Sequence, residues 1–182
     1  MIQTIGMLEF NSIAKGIETC DVMLKAAEVS LIRTSTVCPG KYIIIITGDT
    51  GSVKASILAG EMNGGNCVVD KMIIQNVHPQ LIPALSGTAS VTKGDAIGAM
   101  EFYSITSAIK AADVAAKAAQ ISLVGITMGY AVGGKGIVTL TGDVGAVRAA
   151  VAAGIEEATR MDLYIGSTVI PKYAPELFDS LL

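Results

Sequence analysis

The chain has no tryptophan, three phenylalanines, five tyrosines and one histidine, His78. A single histidine excludes a His-based metal cage built within one chain, and with it a Ser-His-Asp catalytic set becomes a poor expectation. Charged residues make up 16% of the sequence, with no basic cluster, a net charge of −3 and a pI near 5.1. That balance gives nucleic acid nothing to bind. The three cysteines, Cys20, Cys38 and Cys67, are odd in number and contain no Cys-x-x-Cys, so a reducing compartment is expected rather than a disulfide framework. No apolar run reaches about eighteen residues, so no membrane span is expected. Met1-Ile2-Gln3-Thr4 lacks a basic n-region, so no targeting segment is expected either.

What is present is apolar. Hydrophobic residues are 51% of the chain and mean hydropathy is +0.57. An apolar surplus without a membrane span implies large buried interfaces, hence an oligomer.

The chain is also one domain written twice. Ile5-Gly6-Met7-Leu8-Glu9-Phe10 returns as Ile97-Gly98-Ala99-Met100-Glu101-Phe102, a shift of 92 residues. Residues 41–60 return as 135–154, a shift of 94. From Ile5 to Leu31, 14 of 27 paired positions are identical. So long a period means a duplicated domain, not a short-repeat solenoid. The domains are placed at 1–90 and 95–182.

Residues 2–10 read as a strand, and Asn11 or Ser12 can cap the helix that follows. Ile13, Ile17, Met23, Leu24 and Ala27 give that helix an apolar stripe. Strands are predicted at 30–37 and 41–47, the second probing the core with four successive isoleucines. Asp49 caps a helix running to about residue 62, a fourth strand spans 67–75, and a short helix spans 79–85. The second copy repeats this order. Each half is therefore β-α-β-β-α-β plus a small helix, an α/β (α+β) ferredoxin-like layout. That fold hosts many functions and names none.

The motifs are more specific. Ile-Gly-x-x-Glu opens both copies. Asp21-Val22-Met23-Leu24-Lys25-Ala26-Ala27 matches Asp113-Val114-Ala115-Ala116-Lys117-Ala118-Ala119, and Gly40-Lys41 matches Gly133-Gly134-Lys135. Thr47-Gly48-Asp49 matches Thr141-Gly142-Asp143, and the second copy carries Val169-Ile170-Pro171. Both halves resemble the bacterial microcompartment (BMC) shell domain, in the family's unpermuted element order. The resemblance implies a homotrimer that mimics the family's six-domain ring, a pseudohexamer, in contact with other shell proteins in the cytoplasmic compartment shell. It also implies a central pore lined by the loop before the third strand of each copy. Those loops hold Val37, Cys38, Pro39 and Gly40 in copy one, and Val132, Gly133 and Gly134 in copy two. Lys25 and Lys117 fall at the family's shell-tiling edge.

Val37-Cys38-Pro39-Gly40-Lys41 further resembles the tandem shell proteins of propanediol-utilisation compartments, which carry an iron–sulfur cluster at the pore. A 4Fe–4S cluster ordinarily takes four thiolates. Threefold symmetry would bring three copies of Cys38 together, leaving a fourth iron for water or a small molecule. The resemblance thus implies one cluster per trimer, with Cys38 as cofactor and metal ligand. Electron transfer or cluster delivery to encapsulated redox enzymes is the expected use. Cys20 and Cys67 read as small core residues.

Other candidates have plainer explanations. Gly129 to Gly136 nearly spells a phosphate loop, but Gly136 stands where Ser or Thr is needed and a strand is predicted next. Asp49 and Asp143 sit at strand-to-helix turns, where capping explains them better than catalysis. His78 reads as a surface turn residue. Two alternatives stay open at this point. One is a plain tile whose pore passes metabolites, with Cys38 as a constriction. The other is a soluble ferredoxin-like enzyme or small-molecule-binding regulator.

Overall fold

The computed structural model describes residues 3–159 and 163–181. Position 2 of the first expected strand and position 182 of the second copy lie outside the described residues. The chain divides into two compact units, Met1–Val77 and His78–Leu182.

In the first unit, β1 (Thr4–Phe10) leads to α1 (Ile13–Ala26), β2 (Ser30–Val37), β3 (Lys41–Gly48), α2 (Thr50–Gly64) and β4 (Val68–Ile74). The sheet order is β2-β3-β1-β4, and every neighbouring pair is antiparallel. The expected ferredoxin-like layout is therefore present. Strand β1 is central and all seven of its residues are buried. Ile43 to Ile46 are fully buried on both faces of β3. One core joins Leu8, Phe10, Ile44 and Ile46 of the sheet to Cys20 and Met23 of α1 and Val53 and Ile57 of α2. Cys20 is thus a packing residue, and burial pushes its thiol pKa up. Cys67 packs against the same core.

The helices begin where the capping signals place them. Ser12, not Asn11, caps α1, its Oγ accepting from the Lys15 N–H at 3.3 Å. Asp49 caps α2, one carboxylate oxygen accepting from Gly51 (2.9 Å) and Ser52 (3.0 Å). Gly6 lets α2 sit close to the sheet: a Cβ there would lie 2.8 Å from the side chains of Val53 and Ile57.

The Ser52 hydroxyl and main-chain N–H hold the Asp49 carboxyl below its ordinary value of 3.8. A depressed carboxylate stabilises the fold above its unfolded-state pKa, and that stability is lost as pH falls through the folded value. Asp49→Asn is therefore expected to lower the melting temperature at neutral pH and to flatten its decline between about pH 5 and 2. Thermal unfolding at both ends of that window checks this. An unchanged decline would remove the cap from the acid response.

The second unit begins with α3 (Leu81–Ser86) and continues with β5 (Ala96–Phe102), α4 (Ile105–Ala118), β6 (Ser122–Met128), β7 (Gly136–Gly142), α5 (Val144–Thr159), β8 (Tyr164–Pro171) and α6 (Pro175–Asp179). Its sheet order is β6-β7-β5-β8, the same arrangement shifted by one repeat. Ser104 caps α4 as Ser12 caps α1. Residues 78–86 follow the last strand of copy one, yet they belong to the second unit. Side-chain hydrogen bonds at His78 and Gln80 help hold them there. The His78 N–H donates to Asp113 Oδ1 (2.7 Å), Gln80 Nε2 donates to the Ile121 carbonyl (2.8 Å), and Gln80 Oε1 accepts from the Leu123 N–H (2.8 Å).

Candidate functional site: the two loops before the third strand

The turn joining β2 to β3 is three residues long, Cys38-Pro39-Gly40, with Val37 paired to Lys41 at its base. Val37 is buried and anchors the turn. Cys38 is half-buried with a free thiol, Pro39 and Gly40 are exposed, and the Cys38–Pro39 peptide is cis. Gly40 takes a φ of +76°, which a side chain would strain, and open space surrounds it. The tip of the turn therefore presents one thiol beside bare backbone.

Copy two builds the corresponding loop differently. Gly129 to Lys135 forms a seven-residue excursion closed by its own main chain: the Gly129 N–H donates to the Lys135 carbonyl at 2.9 Å, and Lys135 N–H to Val132 at 3.3 Å. Gly129, Ala131, Gly133 and Gly134 all have positive φ. Val132 is half-buried, Gly133 exposed and Gly134 buried, while Tyr130 is exposed. Strand β7 follows directly, so no helix N-terminus faces this loop and the phosphate-loop reading has no structural partner.

An ion pair stands at the base of each loop. Lys41 pairs with Glu9, and Lys135 Nζ lies 2.9 Å from Glu101 Oε1. The Glu9 side chain is 5% exposed and that of Glu101 is 37% exposed. Both partners stand within the repeated motifs, Glu in Ile-Gly-x-x-Glu and Lys in Gly-Lys, but their pairing was not read from sequence. They are separated by 32 and 34 positions, and only the β1–β3 and β5–β7 registers bring them together.

Lys25 and Lys117 sit in the last turns of α1 and α4, where a cation complements the helix dipole. Lys25 pairs with Asp21 at 2.6 Å, both exposed. Lys117 pairs with Asp113, which is buried and also accepts the His78 N–H. Among the described residues, no group of three or more His, Cys, Asp or Glu could hold a metal ion within one chain. Cys20 is buried in the core of the first unit, and the half-buried Cys67 packs against that core.

Two α/β units with the same antiparallel topology, a Glu–Lys pair under each loop and a lysine closing the first helix define a tandem shell-domain protein. The chain belongs to the BMC domain family, whose profile matches residues 4–77 and 96–173. It is 41% identical over 172 residues to the bacterial microcompartment shell protein PduT of Citrobacter freundii, covering 94% of each chain. A crystal structure of a microcompartment protein from Desulfitobacterium hafniense DCB superposes with a TM-score of 0.94 at 46% identity, covering 97% of this chain and 98% of that one. A fused permuted hexameric shell protein of the RMM microcompartment shares the fold, with a TM-score of 0.64 at 24% identity over 88% of this chain and 85% of its own. The relatives are structural shell proteins, and this chain is a microcompartment shell protein rather than an enzyme.

Proposed function

We propose that three chains close into a pseudohexameric tile of the shell, and that Cys38 from each chain meets at the centre to hold one 4Fe–4S cluster. The observation that carries this reading is the free, half-buried thiol at the tip of an exposed turn, in copy one only. One thiolate per chain cannot hold a cluster, but a threefold axis multiplies it. Copy two, with no cysteine in its loop, leaves the count at three. When bound, such a cluster supplies one-electron chemistry at a potential set by its surroundings.

The chain's own residues define the site. Val37 fixes the turn to the sheet, and Pro39 restricts its backbone. Gly40 keeps the tip free of side chains, so main-chain N–H groups can approach cluster sulfur. The half-buried Val132 and the glycines of the copy-two loop would complete the pore wall. Electron transfer across the shell, or cluster delivery to encapsulated redox enzymes, follows from a site on the axis. The test is iron and acid-labile sulfide on protein purified without oxygen. About four of each per three chains supports the site. Near zero in an intact assembly that resists reconstitution makes Cys38 a pore-lining thiol and the pore a metabolite route.

Lys25 and Lys117 are assigned to the tile edge, where tiles meet one another and other shell proteins. Their position at equivalent helix ends, with ammonium groups still accessible, supports this. Lys25→Ala combined with Lys117→Ala is expected to give discrete particles in place of ordered sheets by electron microscopy. Sheets that persist would take both lysines out of that role.

A further inference from the structure

Helix α2 is apolar on two opposite sides. Val53, Ile57, Gly60 and Gly64 face the core of the first unit. Leu58 and Met62 point away from it and are 58% and 79% exposed. On a helix, Lys54, Leu58 and Met62 form one column, with Gly51 and Ala55 beside its N-terminal half, and all five are exposed. This outer face is therefore bulky at one end and small at the other. Helix α5 repeats the packed side with Val147, Ala150 and Val151. It does not repeat the outer one: Ala152, Ile155 and Glu156 stand where α2 has Leu58, Glu61 and Met62. The fold does not need a bulky apolar outer face, and only copy one has it.

Charge follows the same division. Lys54, toward the small end, is exposed and, among the described residues, forms no ion pair. Glu61, toward the bulky end, lies on the same flank about two turns later. Its Oε1 takes Lys71 Nζ at 2.6 Å, and a carboxylate has a second oxygen to offer another cation.

We propose that α2 packs antiparallel on α2 of a second copy about a twofold axis. That pairing sets the bulky end of each helix against the small end of the other, so Leu58 and Met62 cover Ala55 and Gly51 of the second copy. The same twofold brings Lys54 of each helix to Glu61 of the other. Shape and charge are both self-complementary, as an isologous contact requires. A parallel pairing would set bulk against bulk and Lys54 against Lys54. The surface belongs neither to the pore loops nor to the helices of Lys25 and Lys117, so this contact goes beyond the tile reading and adds a second layer to it. One contact is small, but a ring of three chains makes it three times and the three act together.

Sedimentation over a range of concentrations reads the contact as assemblies of twice the unpaired mass. Wild-type protein is expected to double as concentration rises, and less so at high salt. Leu58→Ala with Met62→Glu, which copies the residues of α5, is expected to abolish doubling and leave the unpaired assembly and its melting temperature unchanged. Lys54→Glu and Glu61→Lys are each expected to move doubling to several-fold higher concentration, because each puts like charges at both ends of the contact. Mixed in equal amounts, these two variants are expected to pair again, since one flank is then wholly acidic and the other wholly basic. Arg148→Glu, the matching change on α5, is expected to leave doubling as it is. Doubling that survives the Leu58–Met62 change, a mixture that pairs no better than its parts, or doubling lost with Arg148→Glu overturns the proposal. Wild-type protein that never doubles also overturns it. The unpaired mass, one chain or three, tests the ring reading separately.

Discussion

Replacing Cys38 with serine is expected to lower the iron content from about four atoms per three chains to near zero, while assembly is unchanged. Serine keeps the size and shape of the side chain, and the turn is held by Val37 and the β2–β3 ladder rather than by the thiol. Stability should therefore change by less than about 0.5 kcal/mol, as for other surface substitutions. What changes is the ligand. A thiolate sulfur is the ligand that cluster iron takes, and a serine oxygen is a poor replacement for it. Cys20 cannot substitute, since it is buried in the core of the first unit, and the half-buried Cys67 packs against that core. Iron and sulfide assays on anaerobic preparations of both proteins decide the matter. Stoichiometric iron on Cys38→Ser would remove Cys38 as a ligand.

Lys41→Ala is expected to cost about 3 kcal/mol, and Lys135→Ala under about 1 kcal/mol. The two lysines make the same ion pair at the same repeat position, so composition and local sequence predict equal effects. The partners differ in burial. Glu9 is shut off from water, so removing its cation leaves a buried carboxylate uncompensated. Glu101 keeps more than a third of its side chain in solvent and can be rehydrated. Adding Glu9→Leu to Lys41→Met should recover most of the loss, because an apolar pair needs no compensation there. Urea unfolding of the four variants tests this. Equal losses for the two single lysine variants would mean that burial of Glu9 is not what sets the cost.

Much of the fold could be read from the residues. Four successive isoleucines marked β3 as buried, Ser12 and Asp49 marked the starts of α1 and α2, and the repeat predicted two equivalent sheets. Cys38 was placed on the turn before β3 because strand and turn signals are local. The same local reasoning put residues 78–90 with the first copy. They pack instead with the second unit, where Asp113, Ile121 and Leu123 supply partners more than thirty positions away.

The sequence by itself determined the duplication, the order of the elements, the caps and the position of the lone thiol, because each depends on neighbouring residues and on backbone preferences. Only the tertiary structure decided that Glu9 is buried while Glu101 is half-open, that Asp113 is covered while Asp21 is bare, and that Leu81 is inside while Leu177 is outside. Periodicity reports which residues are apolar, but burial depends on what lies opposite. Two copies of one motif in a single chain need not meet the same neighbour.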